Sequence, residues 1–436
     1  MSPKLLPKIL LAAIVAAYVV IGALYAAYTP AWQVPDEPAH YNYIRQIAEG
    51  QGLPVMEMGD YDQEYLSRLT AEKFPPELSI ASVTYEDHQP PLYYLLATPI
   101  CQISGCAVLP LRLLSVVFGA ALLVAAFKTI QAIFPTRPEI ALMATAFIAF
   151  IPQHAAMTAG VNNDTLAELI MACTLWALVV YLQGKRDRPW HLGLLLAAAL
   201  LTKGSIYIVV PLAILAAVTR WRREGRTWRW AAGQLAWMFV PALLLSAPWF
   251  VRNGLTYGWL DPTGQARHDL VVEGQLTTAQ YLSEHSWSEL LSGMARTTFN
   301  SFWGQFGWMA VPLHARFYQA LLLLSLGAAA GFLWWLFDRR RPRVTPHQRL
   351  SLILLLASGI LTGLMFAWYN SKFLQHQGRY LFSALIPIGT AAALGLDRLT
   401  SLLPQKTRAW TLGGLFAGMA LLAVYCLFKV VVPFLR

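Results

Sequence analysis

The 436-residue chain is 57% hydrophobic and only 13% charged, with a mean hydropathy of +0.47. Soluble domains carry about 25% charged residues, so this composition excludes an ordinary soluble protein and indicates an integral membrane protein. The net charge of +10 does not indicate a nucleic-acid partner, because the arginines crowd into short loops between apolar segments. Such loops act as topology determinants and contact anionic membrane lipids.

Apolar windows long enough to cross a membrane recur along the whole chain. They lie near 9–28, 106–128, 138–158, 163–183, 228–250, 311–337, 347–368, 379–397 and 408–432. The stretch 188–220 holds two shorter apolar runs that divide at Lys203 and predict a helix pair. The first window has no clear small-x-small cleavage site, so we expect a retained signal anchor. The sequence therefore predicts an all-α polytopic membrane protein with about 11–13 transmembrane helices, 11 being preferred.

The distribution of arginine predicts the orientation of these helices. Loops 220–229 and 338–349 carry five arginines each, and the positive-inside rule places both in the cytoplasm. The loops left on the outer side are 29–90, 159–163, 251–310 and 369–378. Only one crossing then fits between the first outer loop and Lys128, so the proline-containing segment 91–104 is predicted to be a juxtamembrane or re-entrant helix. An additional crossing at 91–104 is the alternative.

The outer loops are predicted to form the working part of a single domain that spans residues 1–436. Loop 29–90 holds 11 of the 23 carboxylates and only three Lys or Arg, and with 91–104 it forms a predicted outer catalytic loop, 29–104. A helix is predicted to follow Pro35 and to end before Gly50, and a second around 63–73. The second outer loop, 251–310, is expected to pack against the first. Cys101 and Cys106 are interpreted as unpaired small residues in preference to a disulfide.

Three acidic groups on the outer side are candidates for chemistry. Asp36 and Glu37 begin a predicted helix, and Asp164 begins an apolar span. A carboxylate at such a position can be an N-cap, and it can equally be a general base or a metal ligand. The third group, Glu86 with Asp87 and His88, fits metal ligation or acid–base work as well as a solvated loop. Predicted sidedness brings all three to one face of the membrane.

Outward-facing cations form a second set of candidates. Lys203 lies at a break between two apolar runs, Arg252 ends a span, and His376 and Arg379 lie together before another span. Each can be a snorkelling membrane anchor. Together they suit a phosphate or pyrophosphate at the outer interface, because Arg and Lys bind phosphate strongly in water-poor sites.

Several short motifs resemble a known family. In chain order they are Trp32-x-x-Pro-Asp-Glu-Pro-Ala-His40, Glu86-Asp-His-Gln-Pro-Pro-Leu-Tyr-Tyr94, Arg112-Leu-Leu-Ser115, Asn163-Asp164, Leu201-Thr-Lys-Gly204 and Gln377-Gly-Arg-Tyr-Leu-Phe382. They resemble the GT-C membrane glycosyltransferases, in particular the bacterial branch related to lipid A aminoarabinose transferases and protein O-mannosyltransferases. The resemblance covers about residues 1–260 and the Gly-Arg-Tyr segment, and it rests on the order of the motifs rather than on any single one.

The resemblance implies an inverting transfer of a sugar from a polyprenyl-phosphate donor to a lipid, glycan or protein acceptor. It also implies a bacterial inner-membrane protein whose site faces the periplasm. Asp36 would be the general base and Asp164 the second acidic residue. The substrate-binding residues would be Glu37, His40, Glu86, His88, Tyr93, Lys203, Arg252, His376, Arg379 and Tyr380. A divalent cation (Mg, Mn or Zn) would be held by Asp36, Glu86, His88 and Asp164.

A transporter or flippase of a lipid-linked or small-molecule substrate is the main alternative. Transporters commonly show internal repeats and ionisable residues near the bilayer midplane. This sequence has no clear repeat between its halves, and its charges cluster in outer loops. The pattern favours an interfacial enzyme, and a non-catalytic lipid-binding member of the same fold remains a second alternative.

Overall fold

The computed structural model describes residues 5–184, 188–338 and 344–436, and nearly all of its regular secondary structure there is helical. Helices α1 to α5 are Leu6–Tyr28, Glu37–Ala48, Gln63–Ala71, Leu92–Ser104 and Val108–Ile133. Helices α6 to α10 are Pro138–Ala149, Pro152–Met157, Asp164–Leu182, Trp190–Leu200 and Val209–Glu224. Helices α11 to α14 are Trp228–Tyr257, Gln265–Val271, Thr278–Glu284 and Trp287–Trp303. Helices α15 to α19 are Ala315–Phe337, Pro346–Lys372, Leu385–Thr400, Gln405–Cys426 and Val432–Leu435.

Irregular helical turns and one short sheet complete the secondary structure. The 3₁₀ turns Gly204–Ile206 and Gly378–Ala384 precede α10 and α17, and a π turn at Leu427–Val431 joins α18 to α19. The two-residue strands β1, Gln305–Phe306, and β2, Val311–Pro312, pair antiparallel. Lys203 directly precedes the first 3₁₀ turn and Arg379 lies in the second, and both cations belong to the site described below.

The hydrophobic segments confirm the predicted all-α polytopic fold. Among the residues that the structure describes, nine helices are long and apolar enough to cross a membrane, judged by length and composition. Two shorter apolar helices, α6 and α9, occupy the remaining predicted windows. Helix α4, over the disputed segment 91–104, has 13 residues. A span requires about 20 residues, so α4 is too short to cross a bilayer, as the sequence analysis expected.

The membrane helices pack into one continuous apolar core. Helix α5 packs against α1, α6 and α8, while α9 packs against α11 and α15 against α17. The α15–α17 contact depends on Gly331 and Gly395, where an added Cβ would collide with the backbone of the facing helix. Small residues at a helix interface allow this close approach in a membrane, where packing replaces the hydrophobic effect as the main attraction between helices.

The two outer loops pack against each other, as predicted. Their shared apolar cluster consists of Ala39, Met56, Leu66, Leu69, Phe74, Val83, Tyr85 and Val271. The Tyr257 hydroxyl accepts a hydrogen bond from the Met56 amide at 2.9 Å, and Arg267 Nε donates to the Met56 carbonyl at 3.2 Å. The second loop therefore fixes the first loop from the side.

The two outer cysteines correct a sequence-based preference. Cys101 and Cys106 are joined by a disulfide rather than left as unpaired apolar residues. Helix α4 ends at Ser104. The next residue, Gly105, has a φ of +64° and turns the chain back, so that Cys106 contacts the last turn of the helix. The sequence offered two cysteines five positions apart, but the tight left-handed turn that joins them is a property of the folded backbone.

Candidate active site

The acidic turn before α2 separates two adjacent carboxylates into different environments. Asp36 has a φ of +67° and makes no capping hydrogen bond to α2, so the helix-cap interpretation is wrong for this residue. A positive φ at a non-glycine residue is strained and persists only where surrounding contacts impose it. This conformation turns the Asp36 side chain towards the cavity and the Glu37 side chain into the protein core.

Glu37 is a structural anchor, which corrects its predicted place among the substrate-binding residues. It is fully buried, and its two carboxylate oxygens accept from Arg112 Nε and Nη2 at 2.7 and 2.6 Å. The amides of Trp32 and Val161 also donate to it, at 2.9 and 3.1 Å. Because both oxygens are occupied by protein donors, Glu37 ties the turn to α5 and to the loop before α8.

Asp36 forms a buried network with two residues that lie far away in sequence. The Tyr85 hydroxyl donates to Oδ1 at 2.8 Å, and Arg379 Nη2 donates to Oδ2 at 2.6 Å. Burial alone would raise the pKa of Asp36, but the Arg379 guanidinium, His40 and the Tyr85 hydroxyl together lower it to about 2. Asp36 is therefore an anion whose basicity is held down mainly by one arginine.

Asp164 lies on the opposite side of the same arginine. Lys203 Nζ contacts Asp164 Oδ1 at 2.6 Å and donates to Asn163 Oδ1 at 2.9 Å. Arg379 Nη1 lies 3.9 Å from Asp164 Oδ2, so this guanidinium bridges the two carboxylates. Two acidic and two basic side chains thus alternate around one space.

Backbone packing places Arg379 with little freedom. Gly378 precedes it in the 3₁₀ turn, and an added Cβ there would collide with the backbone of Thr298 and Phe302 in α14. Arg379 Nε donates to Gln377 Oε1 at 2.7 Å, and the guanidinium lies 5.2 Å from the centre of the Tyr380 ring. Glycine at this position therefore allows the arginine-bearing turn to sit directly against α14.

A cavity of about 320 Å³ lies between these side chains. Seven predicted site residues line it together, namely Asp36, Glu86, His88, Asp164, Lys203, Arg379 and Tyr380. The opposite wall is formed by α16, with Phe366, Trp368 and Tyr369. The sequence analysis had inferred only that these charged residues share one side of the membrane. The structure brings them into one space.

Four further predicted site residues do not line this cavity, and each has a different role. Arg252 donates to the carbonyl oxygens of Leu53 and Pro54 and so holds the first outer loop, which corrects its predicted place beside a donor phosphate. Tyr93 is fully buried, and its hydroxyl pairs with Ser115 at 3.3 Å. His40 is buried behind Asp36, with Nδ1 2.8 Å from the Tyr94 hydroxyl. His376 contributes its backbone carbonyl to Thr298 in α14.

The turn before α4 contributes the third acidic group. Burial and the neighbouring Asp36 carboxylate raise the pKa of Glu86 to about 7, and Glu86 Oε2 is buried without a hydrogen-bond partner in the described part of the chain. Burial and the nearby His268 lower the pKa of His88 well below its usual value. His88 and His268 face each other with ring centres 4.5 Å apart.

Sequence reasoning missed a histidine and a glutamate that line the cavity, His268 and Glu168. His268 belongs to α12 in the second outer loop, where no spacing marks it. Glu168 follows Asp164 by one helical turn, so an i, i+4 search from Asp164 would have found it.

The predicted divalent cation does not fit the arrangement of these side chains. No group of three or more His, Cys, Asp or Glu within 5–184, 188–338 and 344–436 is arranged to hold a metal ion. Of the four predicted ligands, Asp36 and Asp164 have their oxygens directed at Arg379, Lys203 and Tyr85. Only Glu86 and His88 retain unpartnered buried atoms. No step below is therefore derived through a metal.

Comparison with protein-family models gives a match over part of the chain. A family model described as dolichyl-phosphate-mannose-protein mannosyltransferase matches residues 88–249, somewhat over a third of the chain. That segment includes Asp164, Lys203 and the turn after Asp87. No curated protein sequence matches the chain.

Solved structures define the class of fold. ArnT from Cupriavidus metallidurans, bound to undecaprenyl phosphate, is similar with a TM-score of 0.50 and 16% identity, over 97% of this chain and 73% of that one. The Archaeoglobus fulgidus oligosaccharyltransferase in its apo form is similar with a TM-score of 0.52 and 12% identity, over 98% of this chain and 55% of that one. The same archaeal enzyme, AglB, in complex with an inhibitory peptide and a dolichol phosphate, has a TM-score of 0.53 and 13% identity, over 98% of this chain and 55% of that one.

The chain therefore has the GT-C fold of membrane glycosyltransferases, which confirms the fold expected from the motifs. The likeness is one of fold, because all three identities lie below 20%. The chain spans about three quarters of the length of ArnT and about half the length of the archaeal enzyme. The family match supports the predicted class of enzyme.

Proposed function

We propose that this protein is an inverting glycosyltransferase that moves a sugar from a polyprenyl-phosphate donor to an acceptor hydroxyl on the outer side of the membrane. The observation that carries the proposal is the cavity in which Arg379 bridges Asp36 and Asp164, with Lys203 beside Asp164. This arrangement supplies an anion that can take a proton and cations that can stabilise a departing phosphate. Such a pair of functions is what glycosyl transfer from a phosphate requires.

The lipid part of the donor has a suitable place beside the cavity. An apolar groove of about 730 Å³ runs between α14, α15 and α17, and Phe366 lines both the groove and the cavity. A prenyl chain in this groove would leave its phosphate near Arg379 and Lys203. ArnT was solved with undecaprenyl phosphate and AglB with a dolichol phosphate, and by analogy this chain takes the same class of lipid.

The proposed reaction assigns roles to Asp36, Arg379 and Lys203. Asp36 accepts the proton of the acceptor hydroxyl, whose oxygen attacks the anomeric carbon from the side opposite the phosphate. The bond between that carbon and the phosphate oxygen breaks, and the electron pair leaves with the polyprenyl phosphate. Arg379 and Lys203 stabilise the negative charge that develops on this leaving group. A single displacement inverts the anomeric configuration.

Donor binding would also activate the base. A carboxylate with a pKa of about 2 is a weak base near neutral pH. A donor phosphate that shares the Arg379 guanidinium would weaken its ion pair with Asp36 and raise the pKa of Asp36 towards the ordinary range. The base would thus become effective only when the sugar donor is in place.

The membrane side belongs to the same proposal. The disulfide between Cys101 and Cys106 supports an oxidising compartment on the side of the cavity, such as a periplasm. A bacterial inner-membrane location follows from the resemblance described above. The acceptor class remains a prediction.

The decisive experiment replaces Asp36 with Asn in purified protein reconstituted into liposomes. We expect loss of sugar transfer from polyprenyl-phosphate donors, with the donor still bound, because the amide cannot accept the proton. Asp62→Asn is the matched control, since Asp62 is an exposed cap of α3 in the same loop and Asn caps helices as well as Asp does. Undiminished turnover in Asp36→Asn would refute the mechanism. Lipid transport without any transfer product would favour the flippase alternative.

A further inference from the structure

Glu168 is a cavity-lining carboxylate that the mechanism above does not use. It follows Asp164 by four residues in α8, about 6 Å along the helix axis on the same face. It is 5% exposed and lines the cavity together with Asp164 and Lys203. Its carboxylate therefore lies one helical turn deeper in the membrane than the proposed catalytic pair.

One oxygen of Glu168 is fixed from behind by a buried histidine. His154 Nε2 lies 2.8 Å from Glu168 Oε2, and His154 has no exposed surface. His154 Nδ1 is buried without a hydrogen-bond partner in the described part of the chain. A proton on Nδ1 would leave a buried donor unpaired, so the favoured neutral ring carries its proton on Nε2 and donates it to Glu168. The edge of this ring meets Phe382, with ring centres 5.2 Å apart.

The second oxygen of Glu168, Oε1, is open to the cavity. It makes no hydrogen bond to any residue that the structure describes, and it is not among the enclosed polar atoms. A carboxylate oxygen in a largely apolar recess is costly unless a ligand or water donates a hydrogen to it. Glu168 is thus held as a fixed acceptor that points at whatever occupies the deep end of the cavity.

The charge of Glu168 selects among the parts of the proposed donor. A carboxylate repels phosphate, whose place is at Arg379 and Lys203, and it accepts hydrogen bonds from hydroxyl groups. The sugar ring is the part of the donor that carries several hydroxyls and adjoins the phosphate. Resting on the proposed function, we infer that Glu168 recognises the transferred sugar by accepting a hydrogen bond from a ring hydroxyl, and that His154 is the positioning residue that orients it.

The His154 contact makes Glu168→Gln a sharp test. His154 Nε2–H needs an acceptor, so the amide oxygen of the glutamine turns towards it and the NH₂ group faces the cavity. The variant therefore presents a donor where the sugar hydroxyl needs an acceptor. In His154→Leu this demand disappears, and the glutamine of a His154→Leu/Glu168→Gln double variant can turn its oxygen to the cavity.

The experiment measures binding of two kinds of lipid to nanodisc-embedded protein by native mass spectrometry. The probes are undecaprenyl phosphate alone and undecaprenyl phosphate bearing mannose, glucose or galactose. In Glu168→Gln we expect affinity for the preferred sugar-bearing lipid to fall roughly tenfold or more, the effect of one charge-assisted hydrogen bond. Affinity for undecaprenyl phosphate should stay within about twofold, which also shows that the variant is folded. The double variant should recover part of the loss.

Three outcomes would overturn the inference. Glu168→Gln could bind both kinds of lipid as the wild type does, it could lose both equally, or the wild type could prefer no sugar-bearing lipid over the bare phosphate. Failure of the proposed function has a different signature, because the wild type would then bind no lipid phosphate, or Asp36→Asn would still transfer sugar.

Discussion

The buried Glu37–Arg112 pair should determine both the stability of the protein and the position of the turn that holds Asp36. Glu37 is fully buried and Arg112 is 3% exposed. Arg112 donates from Nε and Nη2 to Glu37, and its Nη1 donates to the carbonyls of Ala26 and Thr29 at 3.0 and 2.6 Å. Arg112→Met keeps an unbranched side chain, shorter than that of arginine, and leaves the Glu37 charge buried and uncompensated.

Removal of one partner of a buried ion pair costs about 3–5 kcal/mol. We therefore expect the free energy of unfolding of Arg112→Met to fall by about that amount, measured by denaturant titration in detergent micelles with linear extrapolation. Sugar transfer should fall as well, because Asp36 directly precedes Glu37 and lies in the turn that Glu37 anchors.

Arg68→Met is the matched control for this prediction. It breaks the Arg68–Glu72 pair on α3, whose side chains are 59% and 47% exposed. Solvent screens such pairs, so no measurable loss of stability is expected. An Arg112→Met variant no less stable than Arg68→Met would refute the reasoning. A Glu37→Met/Arg112→Met double variant should regain stability without regaining activity, because apolar replacements satisfy the core but no longer fix the turn.

Three other predictions concern Arg379, Glu86 and the disulfide between Cys101 and Cys106. Arg379→Ala should weaken binding of polyprenyl-phosphate donors roughly tenfold or more, measured by lipid titration, while an unchanged affinity would remove Arg379 from the phosphate site. Since the pKa of Glu86 rises from 4.5 to about 7 on folding, the folded protein holds more protons in that window, and stability should decrease from pH 5 to pH 7. Thermal unfolding of Glu86→Gln should show a shallower decrease, and an identical pH slope would contradict this prediction. Thiol labelling of unfolded, unreduced protein should leave Cys101 and Cys106 blocked, and labelling of all four cysteines would show that this disulfide does not form.

Hydropathy and proline placement predicted the membrane fold because burial in a bilayer depends on local composition. Most of the windows, the short helix α4 and helix α2 were recoverable from the residues in each segment, whereas the window 138–158 divides before Pro152 into α6 and α7. Predicted sidedness placed Asp36, Asp164, Lys203 and Arg379 on one face, and these four side chains line a single cavity.

Predictions that needed contacts between distant segments could not be made from the sequence. Asp36 and Glu37 are neighbours of the same chemistry, and their roles diverge only because Arg112 lies where it captures Glu37. The sequence favoured Arg252 as a phosphate ligand, but its guanidinium donates to backbone carbonyls of the first outer loop. His268 enters the site through the packing of one outer loop on the other, which no spacing encodes.

The alternation of charges in the cavity also explains how binding energy could favour the transition state over the bound donor. The donor phosphate is a diester with one negative charge, and the departing polyprenyl phosphate gains a second as the sugar leaves. In the proposed reaction, Asp36 loses its charge in the same step by accepting the acceptor proton. Arg379, which bridges Asp36 and Asp164, would then be less strongly held by Asp36 as negative charge builds on the phosphate. Its interaction with phosphate is consequently stronger in the transition state than in the ground state, which is the condition for catalysis rather than mere binding.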